Sequence, residues 1–112
     1  MSLYQNIIPN QLGQAAITGT AATIYTVPAS TRTIVKDINI CNTTNGAITV
    51  NVFFVPSGGT AGTGNALYYG TSVAANTSLH WVGTQVLVNS QTIQVSASTT
   101  GCTIIVSGGE AT

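Results

Sequence analysis

Apolar positions along this chain recur at every second residue, the period of a strand with one buried face. Ile48, Val50, Val52 and Phe54 alternate on one face of a segment, and Cys102, Ile104 and Val106 do so on one face of another. Nowhere do apolar residues hold the i, i+3, i+4, i+7 spacing for three turns without Gly, Pro or Asn intervening, so no long helix is expected. β-branched runs bounded by turn residues place strands near 14–18, 22–27, 33–42, 47–55, 66–69, 78–82, 85–88, 92–97 and 102–107. Short strands in that number describe an all-β chain, a β-sandwich of jelly-roll or Ig-like order.

Local signals refine the pattern. Thr43-Thr44-Asn45-Gly46 lies between two strongly β segments, and Asn-Gly supplies the positive φ angles of a tight hairpin turn. In the strand before it Ile34, Ile38 and Ile40 share a face with Lys36. Either Lys36 snorkels at a sheet edge, or a bulge at Lys36-Asp37 re-phases the strand so that Val35 and Ile38 both point inward. After it, Phe53 and Val55 fall on the face that starts with Thr49 and Asn51, and their exposure there would signal an interface. Val27-Pro28-Ala29-Ser30-Thr31 resembles Val73-Ala74-Ala75-Asn76-Thr77, and each leads into a strand, as two equivalent connections of a sandwich would. Residues 56–65 hold four glycines and no apolar anchor, which makes a surface loop.

The first thirteen residues contain Leu3, Tyr4, Ile7, Ile8 and Leu12, interrupted by Pro9 and ended by Gly13. An extended arm is expected over 1–13, followed by a single sandwich domain over 14–112. An apolar arm must cover its own core or a neighbour, so these five residues, with Phe53 and Val55, are the candidate interface.

Composition narrows the function. Of 112 residues only 4% are charged and 44% are apolar, and two basic residues balance two acidic ones. An ordinary soluble domain is about 25% charged. A folded chain of this mass exposes roughly 5,800 Å², or about one charge per 1,400 Å². Such a surface has little charge with which to resist association. Arg32 and Lys36 cannot form a phosphate-neutralising footprint, so nucleic acid is not an expected partner. No apolar run reaches the 18 or so residues of a membrane helix, and the N-terminal residues lack the pattern of a secretory signal, so no membrane is expected either.

The inventory for chemistry is nearly empty. Asp37 and Glu110 are the only carboxylic side chains and His80 the only histidine. A Ser-His80-Asp37 triad has no accompanying nucleophile motif, and His80 has the opposite parity to Trp81, which puts it at solvent or an interface over a core tryptophan. Arg32 and Lys36 lie close to Asp37 in sequence, as a local surface ion pair would. Cys41, Cys102, His80 and Asp37 lack metal-ligand spacing, and no cofactor is expected. Cys41 and Cys102 fall on opposite faces by parity and are expected as free thiols of a reducing compartment. The sequons at Asn42 and Asn76 are what chance produces in a chain rich in Asn, Ser and Thr. The chain is not expected to be an enzyme.

Residues 25–43, YTVPASTRTIVKDINICNT, followed by Ile48-Thr49-Val50-Asn51-Val52-Phe53, resemble small virion structural proteins of tailed bacteriophages. In those proteins a threonine-rich strand and a "VPA" turn lead to an "I-x-I-x-N" strand, then "VTV" and a glycine-rich loop. Residues 73–79 are similar to the family's second turn, and Val86-Leu87-Val88 with Ile93-Gln94-Val95-Ser96-Ala97 to its closing strands. Asn89-Ser90-Gln91-Thr92 stands where Gly-Asp is usual, which alters the turn. The likeness covers about residues 22 to 110 and implies a capsid decoration (cement) protein, a tail or fibre-associated protein, or a neck component; the small, nearly uncharged chain favours the first, on the virion exterior and made in the bacterial host cytoplasm. Its implied partners are the major capsid protein and its own copies, as a homodimer or homotrimer. The competing reading is a tail or fibre-associated receptor-binding module in which the 56–65 loop joins Tyr68, Tyr69 and Trp81 to contact glycan.

Overall fold

A computed structural model describes residues 7–112. Eight strands run in chain order: β1 (Ile7–Ala16), β2 (Ala22–Thr26), β3 (Arg32–Asn42), β4 (Ile48–Val55), β5 (Ala66–Val73), β6 (Ser78–Leu87), β7 (Thr92–Ala97) and β8 (Cys102–Ala111). A single 3-10 turn, Thr63–Asn65, interrupts the β4–β5 loop. The strands form two antiparallel four-stranded sheets, I in the order β1-β8-β3-β6 and II in the order β2-β7-β4-β5. Among consecutive strands only β4 and β5 are neighbours in a sheet; every other connection crosses between sheets. That order is a jelly roll, one of the two topologies open from the sequence.

The β-sandwich is closed by the alternation the sequence shows. Val35, Ile38, Ile40, Ile104 and Val106 of sheet I meet Ile48, Val50, Val52, Ile93 and Val95 of sheet II in one buried core. Trp81 packs against this core, its indole lying along β6 where a Cβ at Gly83 would come within 2.7 Å of the ring. At the core's open end Tyr25 Oη donates to Glu110 Oε2 at 2.5 Å. The phenol has one proton, so Thr33 Oγ1, 2.6 Å away, donates to it in turn. Asn10 Nδ2 donates to the other carboxylate oxygen at 3.3 Å, so Glu110 ties together β1, β2, β3 and β8. Burial, and then the Glu110 carboxylate that holds the phenol proton, push Tyr25 up to about 12.

Three points of the sequence reading are decided. The segments at 78–82 and 85–88 are one strand, β6, because residues 83–84 are accommodated opposite Lys36 without breaking the pairing with β3. Lys36 is a bulge: the register shifts between Val35 and Asp37 against both β6 and β8, and Val35 and Ile38 are both fully buried. Of the two readings open for Lys36, the re-phased strand is the one observed. Its ammonium donates to Thr84 Oγ1 at 2.8 Å, while Asp37 pairs with His80.

The third point is the expected hairpin, which does not form. β3 lies in sheet I and β4 in sheet II, and neither Asn45 nor Gly46 has a positive φ. The corner is instead built around Asn42, whose side chain is fully buried. Its amide donates to the carbonyls of Gly46 (2.9 Å) and Val73 (3.0 Å). Its carbonyl accepts from Thr44 N (2.9 Å) and Thr44 Oγ1 (2.7 Å). Gly101 completes the corner with φ +122, and a Cβ there would run into the Thr44 methyl. The sequon at Asn42 is therefore a structural corner.

The paired motifs are equivalent connections, as expected. Val27 and Val73 are both buried, Ser30 and Asn76 both have φ 56, and both segments return the chain from sheet II to sheet I. Thr31 and Thr77 each bond back to a carbonyl of the turn, those of Ala29 (3.0 Å) and Ala74 (2.7 Å).

Candidate interface on the outer face of one sheet

The two outer faces of the sandwich differ in chemistry. On sheet II the outward positions include Thr23, Thr49, Asn51, Thr92, Gln94 and Ser96 beside Phe53 and Val55, and among the polar ones Asn51 Nδ2 donates to Ser96 Oγ at 3.0 Å and Gly70 N to Asn51 Oδ1 at 2.7 Å. On sheet I the alternation that buries Ile104 and Val106 turns Ile105 outward, and that of β6 turns out Val82 and Val86, which are 68% and 52% exposed. One row crosses all four strands in register: Val86 opposite Ile34, Ile34 opposite Gly109, and Gly109 opposite Pro9. Exposed Ile7, two positions before Pro9 on β1, continues this apolar surface.

Glycine makes the surface concave. Gly109 gives the row no side chain over β8, and Gly108 could carry none, since a Cβ there would run into the Ile34 carbonyl. The result is a trough of about 270 Å³, almost wholly apolar, lined by Ile7 and Pro9 on one side and Ile34 and the Lys36 stem on the other. Toward the middle of the face His80 Nε2 lies 2.7 Å from Asp37 Oδ2, both exposed, a pair of little energetic weight.

The edges are less suited to contact than this face. Each of the four edge strands, β1, β2, β5 and β6, carries at least one register shift in its pairing. β1 adds Pro9, which has no N–H to offer. Irregular edges discourage strand addition, which leaves the faces for association.

The expected interface residues are not all in one place. Ile7 and Ile8 are exposed at the start of β1. Leu12 is buried in the chain's own core. Residues 7–13, placed in an arm, are extended but form the first half of β1 paired with β8, so the expected boundary at 13/14 falls inside a strand. Leu3 and Tyr4 lie outside the described residues. Phe53 and Val55, expected on an apolar outer face, are only 5% and 1% exposed. They stand outside the main core cluster, beside β5, where Phe53 pairs with Ala66 and the Tyr69 ring meets Phe53 edge-on at 6.4 Å. Buried to this degree, the patch is no free surface. Ile34, Val82, Val86 and Ile105 were missed, although simple alternation from Ile104 and from Trp81 marks Ile105 and Val82.

The alternative glycan site is not assembled. Trp81 belongs to sheet I and packs inward, Tyr68 packs against the core from sheet II, and only Tyr69 is exposed. Among the described residues no cluster of three His, Cys, Asp or Glu could hold a metal. Cys102 is buried, its thiol pushed up by burial, and Cys41 is half-buried; both are free.

Comparison with known proteins supports the fold. The chain resembles one from the Bacillus endospore appendages, disulfide-linked pili, at a TM-score of 0.57 and 20% identity, covering 96% of this chain and 88% of that one. It resembles a chain of the T13 particle of infectious bursal disease virus at a TM-score of 0.51 and 10% identity, covering 95% of this chain and 30% of the viral one. A capsid chain of cyanophage Pam1 gives 0.43 at 20% identity over 95% of this chain and 84% of that one, too low to bear on the fold. No family model and no curated protein matches. At these identities the likeness is one of fold. No helix among the described residues is long and apolar enough to cross a membrane.

Set in this fold, the two outer faces of the sandwich are chemically unequal. One face can meet water through side-chain amides and hydroxyls. The other carries the apolar trough and exposed Val82, Val86 and Ile105 beside Arg32, Lys36 and the Asp37–His80 pair.

Proposed function

We propose that this chain is a structural subunit of a bacteriophage virion, a decoration protein that sits on the capsid exterior and binds the major capsid protein and its own copies through the outer face of sheet I. The observation that carries the reading is that face: Val82, Val86, Ile105 and Ile7 exposed on a chain with four formal charges in 112 residues. The jelly roll, shared at fold level with a viral particle chain, and the resemblance of residues 22 to 110 to small phage virion proteins support it. Counting copies by mass spectrometry of purified particles tests it. A copy number equal to, or a simple fraction of, that of the shell subunit is expected; the low copy number of a tail part would overturn the capsid assignment.

A second reading has its own support. The appendage chain matches over nearly its whole length, so the same face could build a fibre of this chain alone. A covalent link between copies would have to use Cys41, because Cys102 is only 1% exposed. Negative-stain microscopy of the purified chain separates the two: fibres favour the appendage-like subunit, closed small oligomers the decoration protein.

A further inference from the structure

Asn45-Gly46, the pair expected to form a hairpin turn, takes no positive φ and lies in the exposed connection between β3 and β4, away from the outer face of sheet I. We propose that this pair is a self-processing site, at which Asn45 loses its side-chain amide as ammonia and becomes an acidic residue within the folded chain. The reaction needs a backbone nitrogen free to attack, a polarised side-chain carbonyl beside it and an open approach. The corner supplies all three.

The nucleophile is the Gly46 nitrogen. Its N–H has no acceptor among the described residues, while the Gly46 carbonyl is held by Asn42 Nδ2 at 2.9 Å. A Cβ built on Gly46 would meet nothing within 4 Å, and glycine has no side chain of its own to block the approach to Asn45. The electrophile is the Asn45 side-chain carbonyl, whose oxygen accepts from Asn76 Nδ2 at 3.3 Å. Asn76 is fixed over the corner, with φ 56 and its own N–H donating to the Thr44 carbonyl at 3.0 Å. A donor so placed stabilises the negative charge that the oxygen takes on during attack.

Other asparagines lack one part or another. None but Asn45 precedes a glycine. Asn42 is buried, and the N–H of Thr43 after it is bonded to Gly101. The N–H of Ser90, after Asn89, donates to Val27.

The chemistry balances with water alone. Gly46 N adds to Asn45 Cγ and gives its proton to solvent base; the Cγ–Nδ2 bond breaks, and Nδ2 takes a proton from solvent and leaves as ammonia. Hydrolysis of the resulting succinimide at either carbonyl consumes one water and yields aspartate or its β-linked isomer, isoaspartate. Two basic side chains then face three acidic ones, so a formally neutral chain passes to a net charge of −1.

The test stores the purified full chain in mildly alkaline buffer and follows it by anion exchange and peptide mass spectrometry. A more anionic form should accumulate, converted at position 45 while Asn65, Asn76 and Asn89 stay intact. Gly46→Ala meets no contact and needs no unusual φ, so it should keep the thermal unfolding transition and slow conversion about tenfold by crowding the attack. Asn76→Gly keeps the left-handed turn but removes the donor. It should slow conversion about threefold, well short of the loss in a buried enzyme site because this corner is open to water. Conversion first at another asparagine, or at position 45 in the urea-unfolded chain but not in the folded one, would overturn the proposal, as would Gly46→Ala converting as fast as the unaltered chain. Conversion of Asn76→Gly at an equal or higher rate would overturn the part given to Asn76.

Discussion

Asn42 shows how one side chain can decide a connection. Thr-Thr-Asn-Gly reads as a hairpin because the local sequence can make one, but β3 is paired on both sides within sheet I and cannot also take β4 as a neighbour. The buried amide then satisfies carbonyls from two segments while its oxygen holds Thr44. Asn42→Ala would orphan those groups, and a loss of about 2–4 kcal/mol is expected in denaturant unfolding. Tyr25 gives a pH signature. Its folded pKa of about 12 lies above the ordinary 10.0, so its contribution is complete below pH 10 and lost as pH rises through 12. Unfolding measured from pH 9 to 12 should show stability falling over that window, and Tyr25→Phe should flatten the fall.

At the scale of elements, what was legible followed from the period of two. The core faces of β4 and β8 could be read directly, as could the two matching turns, because burial on one side of a sheet writes itself into alternating positions. Two features broke that rule. A bulge costs one residue of phase, and nothing in the letters around Lys36 distinguishes it from a lysine that snorkels. Phe53 and Val55 share the outward parity of sheet II and are nevertheless buried, with Tyr69 edge-on to Phe53, a contact that parity alone does not announce. These two residues therefore belong to stability and not to assembly. Phe53→Ala should cost about 3–5 kcal/mol of unfolding free energy while leaving association of the folded chain unchanged. Sedimentation of that variant below its unfolding transition checks the second half.

For the whole molecule, low charge was legible as a tendency to associate, but not as a direction. The proposed direction comes from the structure: the outer face of sheet I carries exposed Val82, Val86 and Ile105 and the trough, beside the Asp37–His80 pair, whereas that of sheet II is largely amides and hydroxyls. Which partner chain meets that face was never in the sequence, since alternation reports burial inside a fold and is silent on burial between folds. Because few charges exist to be screened, association should change little between about 0.05 and 0.5 M NaCl, a dependence that light scattering can follow; dispersal by moderate salt would point to an ionic contact instead.

The face assignment itself is open to a direct measurement. Sedimentation velocity over a range of concentrations should show the unaltered chain associating, and Val82→Ser, Val86→Ser and Ile105→Ser combined should leave a folded monomer. A triple variant that associates as strongly as the unaltered chain would contradict the assignment of the outer face of sheet I as the contact surface.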